Sequence, residues 1–141
     1  MEYKLVIGTK DGKCHQVELK GEQAEVLHDK IIGEIVNGDV LGFVGYEFLI
    51  TGGSDKCGFP MRKGIQEPRK KVLIGKSVGF CGLKCKLRKK GSKKRQKGLV
   101  KRITVCGERI SRIIRQVNLK TIKEGSQKLG VATVQEPPAA D

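Results

Sequence analysis

The chain has 141 residues, 38% of them hydrophobic and only 4% aromatic, with no Trp, enough for one modest core built mainly from Val, Ile and Leu. Its 29 Lys and Arg against 15 Asp and Glu give a formal net charge of +14, and the resulting self-repulsion points to a polyanionic partner, nucleic acid above all. Five scattered cysteines argue against a secreted disulfide framework. The opening residues carry no signal-peptide pattern, and no apolar run approaches the ~20 residues that cross a bilayer, so the expectation is a soluble cytoplasmic protein with no membrane association.

Along the chain, Tyr3 to Gly8 reads as a strand, Asp11-Gly12 as a tight-turn signal, and Cys14 to Lys20 as a second strand with Val17 and Leu19 on one face. Together they predict a β-hairpin. Gly21 to Lys30 is helical in character, with Ala24, Leu27 and Ile31 at helix spacing. Tyr46 to Thr51 predicts a strand with Tyr46, Phe48 and Ile50 on one side, and Gly52-Gly53-Ser54-Asp55 a turn after it. Val72-Leu73-Ile74 reads as a short buried strand, and Leu99 to Cys106 as another. Ile110, Ile113, Ile114 and Val117 suit a helical turn leading into a final strand over Val117 to Ile122. The fold class is therefore mainly β: a small antiparallel β-barrel with one short helix and a long basic loop. Residues 1–125 are expected to form one domain carrying the basic loop 81–98, and residues 126–141, with Pro137-Pro138, a loose tail.

The charge is unevenly placed. Residues 1–61 hold six Lys and Arg against ten acids, net −4; residues 62–102 hold seventeen against Glu67 alone, net +16; residues 103–141 are net +2. A charge run is usually a solvated face, but this one is of a single sign and too long for a surface strip. Such a loop is disordered in water and ordered along phosphates. The candidate RNA-contacting residues are Lys56, Arg62, Lys63, Arg69, Lys70, Lys71, Lys76, Lys84, Lys86, Arg88, Lys89, Lys90, Lys93, Lys94, Arg95, Lys97, Lys101 and Arg102.

Few residues suggest chemistry. Cys81-x-x-x-Cys85 is the only close cysteine pair; zinc takes four ligands, so a site would need Cys57 or Cys106 nearby. Small, partly buried thiols explain these residues better. His15 and His28 fit no ligand pattern. Asp55 reads as a turn acid and Lys56 as a base facing RNA. There is no P-loop, dinucleotide fingerprint or nucleophile elbow. The expectation is no enzyme, no metal, no cofactor and no small-molecule substrate.

The segment Ile50-Thr51-Gly52-Gly53-Ser54-Asp55-Lys56-Cys57-Gly58-Phe59-Pro60-Met61-Arg62 closely resembles the Gly-Gly-x-Asp-Lys-x-Gly-Phe-Pro-Met signature of small-subunit ribosomal protein six of the archaeal–eukaryotic type. Tyr3 to Ile7 with Gln16-Val17-Glu18 resembles that family's opening hairpin. Leu73 to Phe80 resembles the stretch after the signature, Gly98 to Gly107 its basic strand, and Asn118 to Gly125 its closing strand. The match runs over about residues 3–125 in one order. The resemblance implies a β-barrel bound to rRNA in the body of the small subunit, with neighbouring ribosomal proteins as further partners and no homo-oligomer.

The chain also departs from the family. Leu99, Val100 and Ile103 stand where it shows polar or basic residues, and Cys106 where it shows Arg. Between Phe80 and Gly98 the sequence is longer and more basic, so RNA contact is expected to shift from the strand into the loop. The eukaryotic members' C-terminal helix with its phosphorylated serines has no counterpart in this sequence, and that regulation is not carried over. A free-standing RNA-binding module and a zinc-dependent nucleic-acid protein remain the alternatives. Within the signature, Gly52, Gly53 and Gly58 suit positive φ or close backbone approach, and Phe59 and Met61 are expected to pack inward.

Overall fold

The computed structural model describes residues 2–82, 98–125 and Leu129. The opening hairpin forms as the alternation predicts. β1 (Glu2–Gly8) and β2 (Cys14–Lys20) pair antiparallel from Glu2 opposite Lys20 to Gly8 opposite Cys14. The loop between them closes through the Thr9 N–H to the Lys13 carbonyl at 2.9 Å. Tyr3, Leu5 and Ile7 all point to the core, the period-two pattern of a half-buried strand.

The chain is mainly β. A five-stranded sheet in the order β2-β1-β7-β4-β3 curls into a half-barrel, with β3 at Ile35–Asn37, β4 at Glu47–Asp55 and β7 at Ile114–Lys123. Its pairings are antiparallel except that β1 and β7 run parallel, from Lys4 opposite Gln116 to Gly8 opposite Lys120. A separate two-stranded ribbon joins β5 (Arg69–Ile74) to β6 (Lys101–Cys106). Inside the curl lie Leu5, Ile7, Phe48, Ile50, Ile110, Ile114 and Val117, among others. Phe48 centres an aromatic group, stacked on Tyr46 at 5.6 Å between ring centroids and edge-on to Phe43 at 5.8 Å, both geometries that aromatic quadrupoles favour.

Four local expectations are corrected. The helix α1 covers only Glu22–Val26. Beyond it the backbone is taken over by a neighbour: Asp29 N–H bonds the Ile110 carbonyl at 3.0 Å, and Ile110 N–H bonds that of Lys30 at 2.8 Å. Ile31 therefore bridges Arg109 instead of continuing a helix. The Gly52 to Asp55 stretch is not a turn but the second half of β4, which runs on against β7 with register shifts near Gly52 and Asp55. A Cβ on Gly53 would lie 2.3 Å from the Gln116 carbonyl oxygen of β7, so glycine serves close strand approach there.

Val72 to Ile74 forms a strand but not a buried one. Leu73 is 63% exposed and only Ile74 of the three is buried, because β5 has one partner strand and no sheet covers the ribbon. Finally, the segment before β7 is a turn, and the strand itself begins at Ile114. The strand β3 and the short 3-10 turn Gly38–Leu41 that follows it have no counterpart in the sequence reading.

The signature segment joins the two sheets through Asp55, whose carboxylate is fully enclosed. Its Oδ1 accepts the N–H groups of Cys57 at 2.8 Å and Phe59 at 2.9 Å. Its Oδ2 accepts Arg69 Nε at 2.8 Å and Nη2 at 2.7 Å, and the Cys106 thiol at 3.3 Å. Gly58 makes the turn with φ +83°, Arg69 lies over the Phe59 ring at 5.5 Å from its centroid, and Phe59 packs half-buried against the core. The chain then returns along β4, with Met61 N–H on the Gly53 carbonyl at 2.9 Å, and docks on β6, with Cys106 N–H on the Pro60 carbonyl at 2.9 Å. Met61 is buried.

Burial pushes the Asp55 carboxyl up, but the hydrogen bonds from Phe59, Cys106, Arg69 and Cys57 outweigh it and hold it below the ordinary carboxylate value. Burial, together with that carboxylate, pushes the Cys106 thiol up to about 11, so at neutral pH it is a protonated donor.

Two outcomes follow from this packing. Phe48→Ala or Ile50→Ala, each at a fully buried position, will cost about 2–5 kcal/mol by opening a cavity, read as a lower denaturant midpoint at unchanged m-value. Asp55 contributes stability fully present above its unfolded pKa of about 3.9 and lost as pH falls through its lower folded value. Asp55→Asn will therefore lower the melting temperature at neutral pH and flatten the acid limb of the stability–pH curve. An unchanged acid limb would show that Asp55 does not couple folding to protons.

Candidate nucleic-acid interface

Of the residues predicted to contact RNA, Lys84, Lys86, Arg88, Lys89, Lys90, Lys93, Lys94, Arg95 and Lys97 lie outside the described residues. The others group around the signature junction and the ribbon. Register sorts the ribbon's cations onto two faces, since side chains alternate along each strand. Arg69, Lys71 and Arg102 share one face, with Leu73 opposite Arg102; Lys70 and Lys101 share the other, with Val72 opposite Ile103. Lys71, Lys101 and Arg102 are exposed and make no ion pair among the described residues. No Asp or Glu occurs between Pro68 and Gly107, so the ribbon carries no carboxylate of its own. The ribbon's far end, Ile74 opposite Lys101, leads toward residues 83–97.

Three predicted residues are already engaged within the fold. Arg69 holds Asp55, and Lys70 pairs with Glu67. Arg62 donates through Nη1 to Ser77 Oγ at 2.8 Å and to the Val78 carbonyl at 3.1 Å, fixing the turn that follows β5. Lys63 and Lys76 are exposed. Lys56 is exposed as well, but it faces away from the ribbon's company, into a cavity of about 240 Å³ lined by Glu2, Tyr3, Lys56, Arg112 and Arg115.

Arg112 and Arg115 were missed by sequence reasoning. They fall in a stretch of net charge only +2, and the one local signal is their three-residue spacing. What makes them basic neighbours of Lys56 is the pairing of β4 with β7, which sets Asp55 opposite Ile114, and the Lys56 N–H bond to the Ile113 carbonyl at 3.3 Å. Arg115 Nη1 donates to Glu2 at 3.0 Å. The Tyr3 hydroxyl donates to the Ser111 carbonyl at 3.4 Å; burial pushes its pKa up, against the pull of nearby Arg112, so the phenol is neutral.

Of the described cysteines, Cys57 and Cys106 both lie against the Arg69–Asp55 pair, the Cys57 sulfur accepting from Arg69 Nη2 at 3.4 Å. Cys14, Cys57 and Cys81 are exposed and Cys106 is buried against Asp55, while Cys85 lies outside the described residues. Among the described residues no group of His, Cys, Asp and Glu is placed to hold a metal, and no helix is long and apolar enough to cross a membrane.

Comparison with known proteins bears on what this arrangement belongs to. The family model for ribosomal protein S6e matches residues 3–134. A protein of Methanosphaera stadtmanae named small ribosomal subunit protein eS6 is 39% identical over 130 residues, covering 92% of this chain and 90% of that one. Proteins of the same name from Natronomonas pharaonis and Methanococcus maripaludis are 33% identical over 129 residues and 36% identical over 132, covering 91% and 92% of this chain and 91% and 94% of theirs. The signature that builds the Asp55 junction thus sits within a match spanning nearly the whole sequence, and the chain belongs to the ribosomal protein S6e family.

Proposed function

We propose that the chain is a structural constituent of the small ribosomal subunit, binding and bracing rRNA through many phosphate contacts at the cytoplasmic ribosome. The observation that carries this reading is the β5–β6 ribbon: cations on both faces, no carboxylate along it, and nine more Lys and Arg over residues 84–97, between its two strands in the sequence. Lys71, Lys101 and Arg102, exposed and without an ion pair among the described residues, repel one another unless a polyanion lies against them. The family, and relatives named as small ribosomal subunit proteins, support this reading.

In this reading Lys63, Lys71, Lys76, Lys101 and Arg102, with the cations of residues 84–97, meet phosphates. Lys56 belongs with them, while Arg62, Arg69 and Lys70 chiefly hold the ribbon and its turn in place. With four Phe, two Tyr and no Trp in the chain, there is little material for base stacking, so binding is phosphate-dominated and largely indifferent to sequence. The chain works without catalysis, cofactor or small-molecule substrate. Its other partners are neighbouring ribosomal proteins, for which the exposed Leu73, Val78 and Val100 offer apolar contact, and it does not need to pair with itself.

Affinity for an archaeal small-subunit rRNA transcript will fall steeply as monovalent salt rises. Single Lys→Gln changes on the ribbon will each weaken binding modestly and reduce the salt slope by about one unit at most. Replacing residues 83–97 by a short Gly-Ser linker will cost far more affinity while leaving the melting temperature nearly unchanged, since β5 and β6 pair without those residues. A flat salt response would overturn the electrostatic reading. Co-sedimentation with small subunits that survives high salt supports a ribosomal constituent, and its loss would favour a free-standing RNA-binding module.

A further inference from the structure

Outside the ribbon, one cluster of cations is concave. Lys56, from the turn after β4, and Arg112 and Arg115, from the entry to β7, wall the cavity of about 240 Å³ together with Glu2 and Tyr3. That volume is several times the ~30 Å³ a water molecule occupies in the liquid. Three positive charges face it against one carboxylate, and Arg115 already holds that carboxylate at 3.0 Å. Lys56 and Arg112 are exposed and make no ion pair among the described residues. Arg115 keeps guanidinium N–H groups beyond the one given to Glu2, since guanidinium has five.

The walls are fixed by backbone. The Lys56 N–H to Ile113 carbonyl bond and the register of Asp55 on Ile114 hold the two basic segments together. The Tyr3 hydroxyl, committed to the Ser111 carbonyl, closes one side with a neutral group. Like charges held around one concavity repel until an anion enters, and two guanidinium forks beside an ammonium suit the paired oxygens of a phosphate.

We propose that this pocket is a discrete phosphate site in which Lys56, Arg112 and Arg115 close on a single phosphodiester of the rRNA backbone, separate from the ribbon and its loop. The proposal rests on the reading of the chain as an rRNA-binding protein and adds a contact point drawn from residues of the chain's least basic parts. The ribbon's cations spread along many phosphates, whereas these three converge on one where β4 ends and β7 begins.

The test uses the full chain and an archaeal small-subunit rRNA transcript, with affinity measured across a salt series. The triple variant Lys56→Gln, Arg112→Gln, Arg115→Gln is compared with Lys71→Gln, Lys101→Gln, Arg102→Gln on the ribbon. Because the salt slope counts phosphates neutralised, at about 0.7–0.9 each, the pocket triple will reduce it by about one unit in total and the ribbon triple by about two to three. Affinity losses of the single pocket variants will not add. Melting monitors the fold, and if the triple variant is unfolded the Lys56→Gln, Arg112→Gln pair, exposed at both positions, carries the same comparison.

An unchanged slope and affinity in the pocket variants, with the wild type steeply salt-dependent, would overturn the proposal and leave the broader reading standing. A loss of one unit per residue would overturn it too, by showing three independent surface contacts. A flat slope in the wild type would strike the broader reading itself. Inorganic phosphate that shifts the NMR signals of Arg112 and Lys56, while the substitutions leave RNA binding intact, would assign the pocket to free phosphate and not to RNA.

Discussion

A carboxylate removed from water has to be surrounded by donors, and Asp55 recruits them from three separate parts of the chain. The turn that follows it supplies two backbone N–H groups, the start of β5 supplies the Arg69 guanidinium, and the end of β6 supplies the Cys106 thiol. A buried charge left without such partners costs several kcal/mol, so these three segments are held in mutual position by one side chain. The ribbon has no strand neighbour in the five-stranded sheet. It is attached to the body at this junction and beside it by backbone bonds, from Cys106 N–H to the Pro60 carbonyl and from Arg62 N–H to the Cys106 carbonyl.

The Cys106 thiol illustrates how particular this packing is. A cysteine is small enough to reach Asp55 from within the core, and with its pKa pushed up to about 11 it remains a neutral hydrogen-bond donor. An arginine there would bring a second cation to a carboxylate that Arg69 already balances. The cysteine thus belongs to the packing of the junction.

Charge is partitioned by architecture as well as by sequence. The acid-rich first part of the chain builds β1 to β4 of the half-barrel, where Lys4–Glu18 and Lys123–Glu47 pairs balance the surface. Of the basic middle, Arg69, Lys70, Lys71, Lys101 and Arg102 stand on the ribbon, off the half-barrel. Within β6 the exposed Lys101 and Arg102 stand at one end and the buried Val105 and Cys106 at the other, so changes in those cations need not disturb the core. Not every Lys or Arg in the basic region belongs to the outward surface, however. Arg69 and Arg62 are spent on holding the structure in shape.

What the sequence determined by itself was local or compositional: the hairpin of β1 and β2, readable because alternation and a turn signal lie within one short stretch; the strand identity of β4, β6 and β7; the mainly β class; the family, from the signature; and the polyanionic partner, from seventeen cations set against one acid. What the tertiary structure alone decided depends on residues far apart in the chain. Gly52-Gly53 has the composition of a turn, but Gly53 lets β4 run close to the Gln116 backbone. The helix after Gly21 stops early because the backbone near Ile110 captures residues 29–30. The apolar Val72 to Ile74 run makes a strand that leaves Leu73 exposed. The parallel pairing of β1 with β7, the donors gathered on Asp55, and the meeting of Lys56 with Arg112 and Arg115 leave no local trace either. Periodicity and turn chemistry act over a few residues, whereas strand register, close backbone approach and burial are fixed only when distant segments pack.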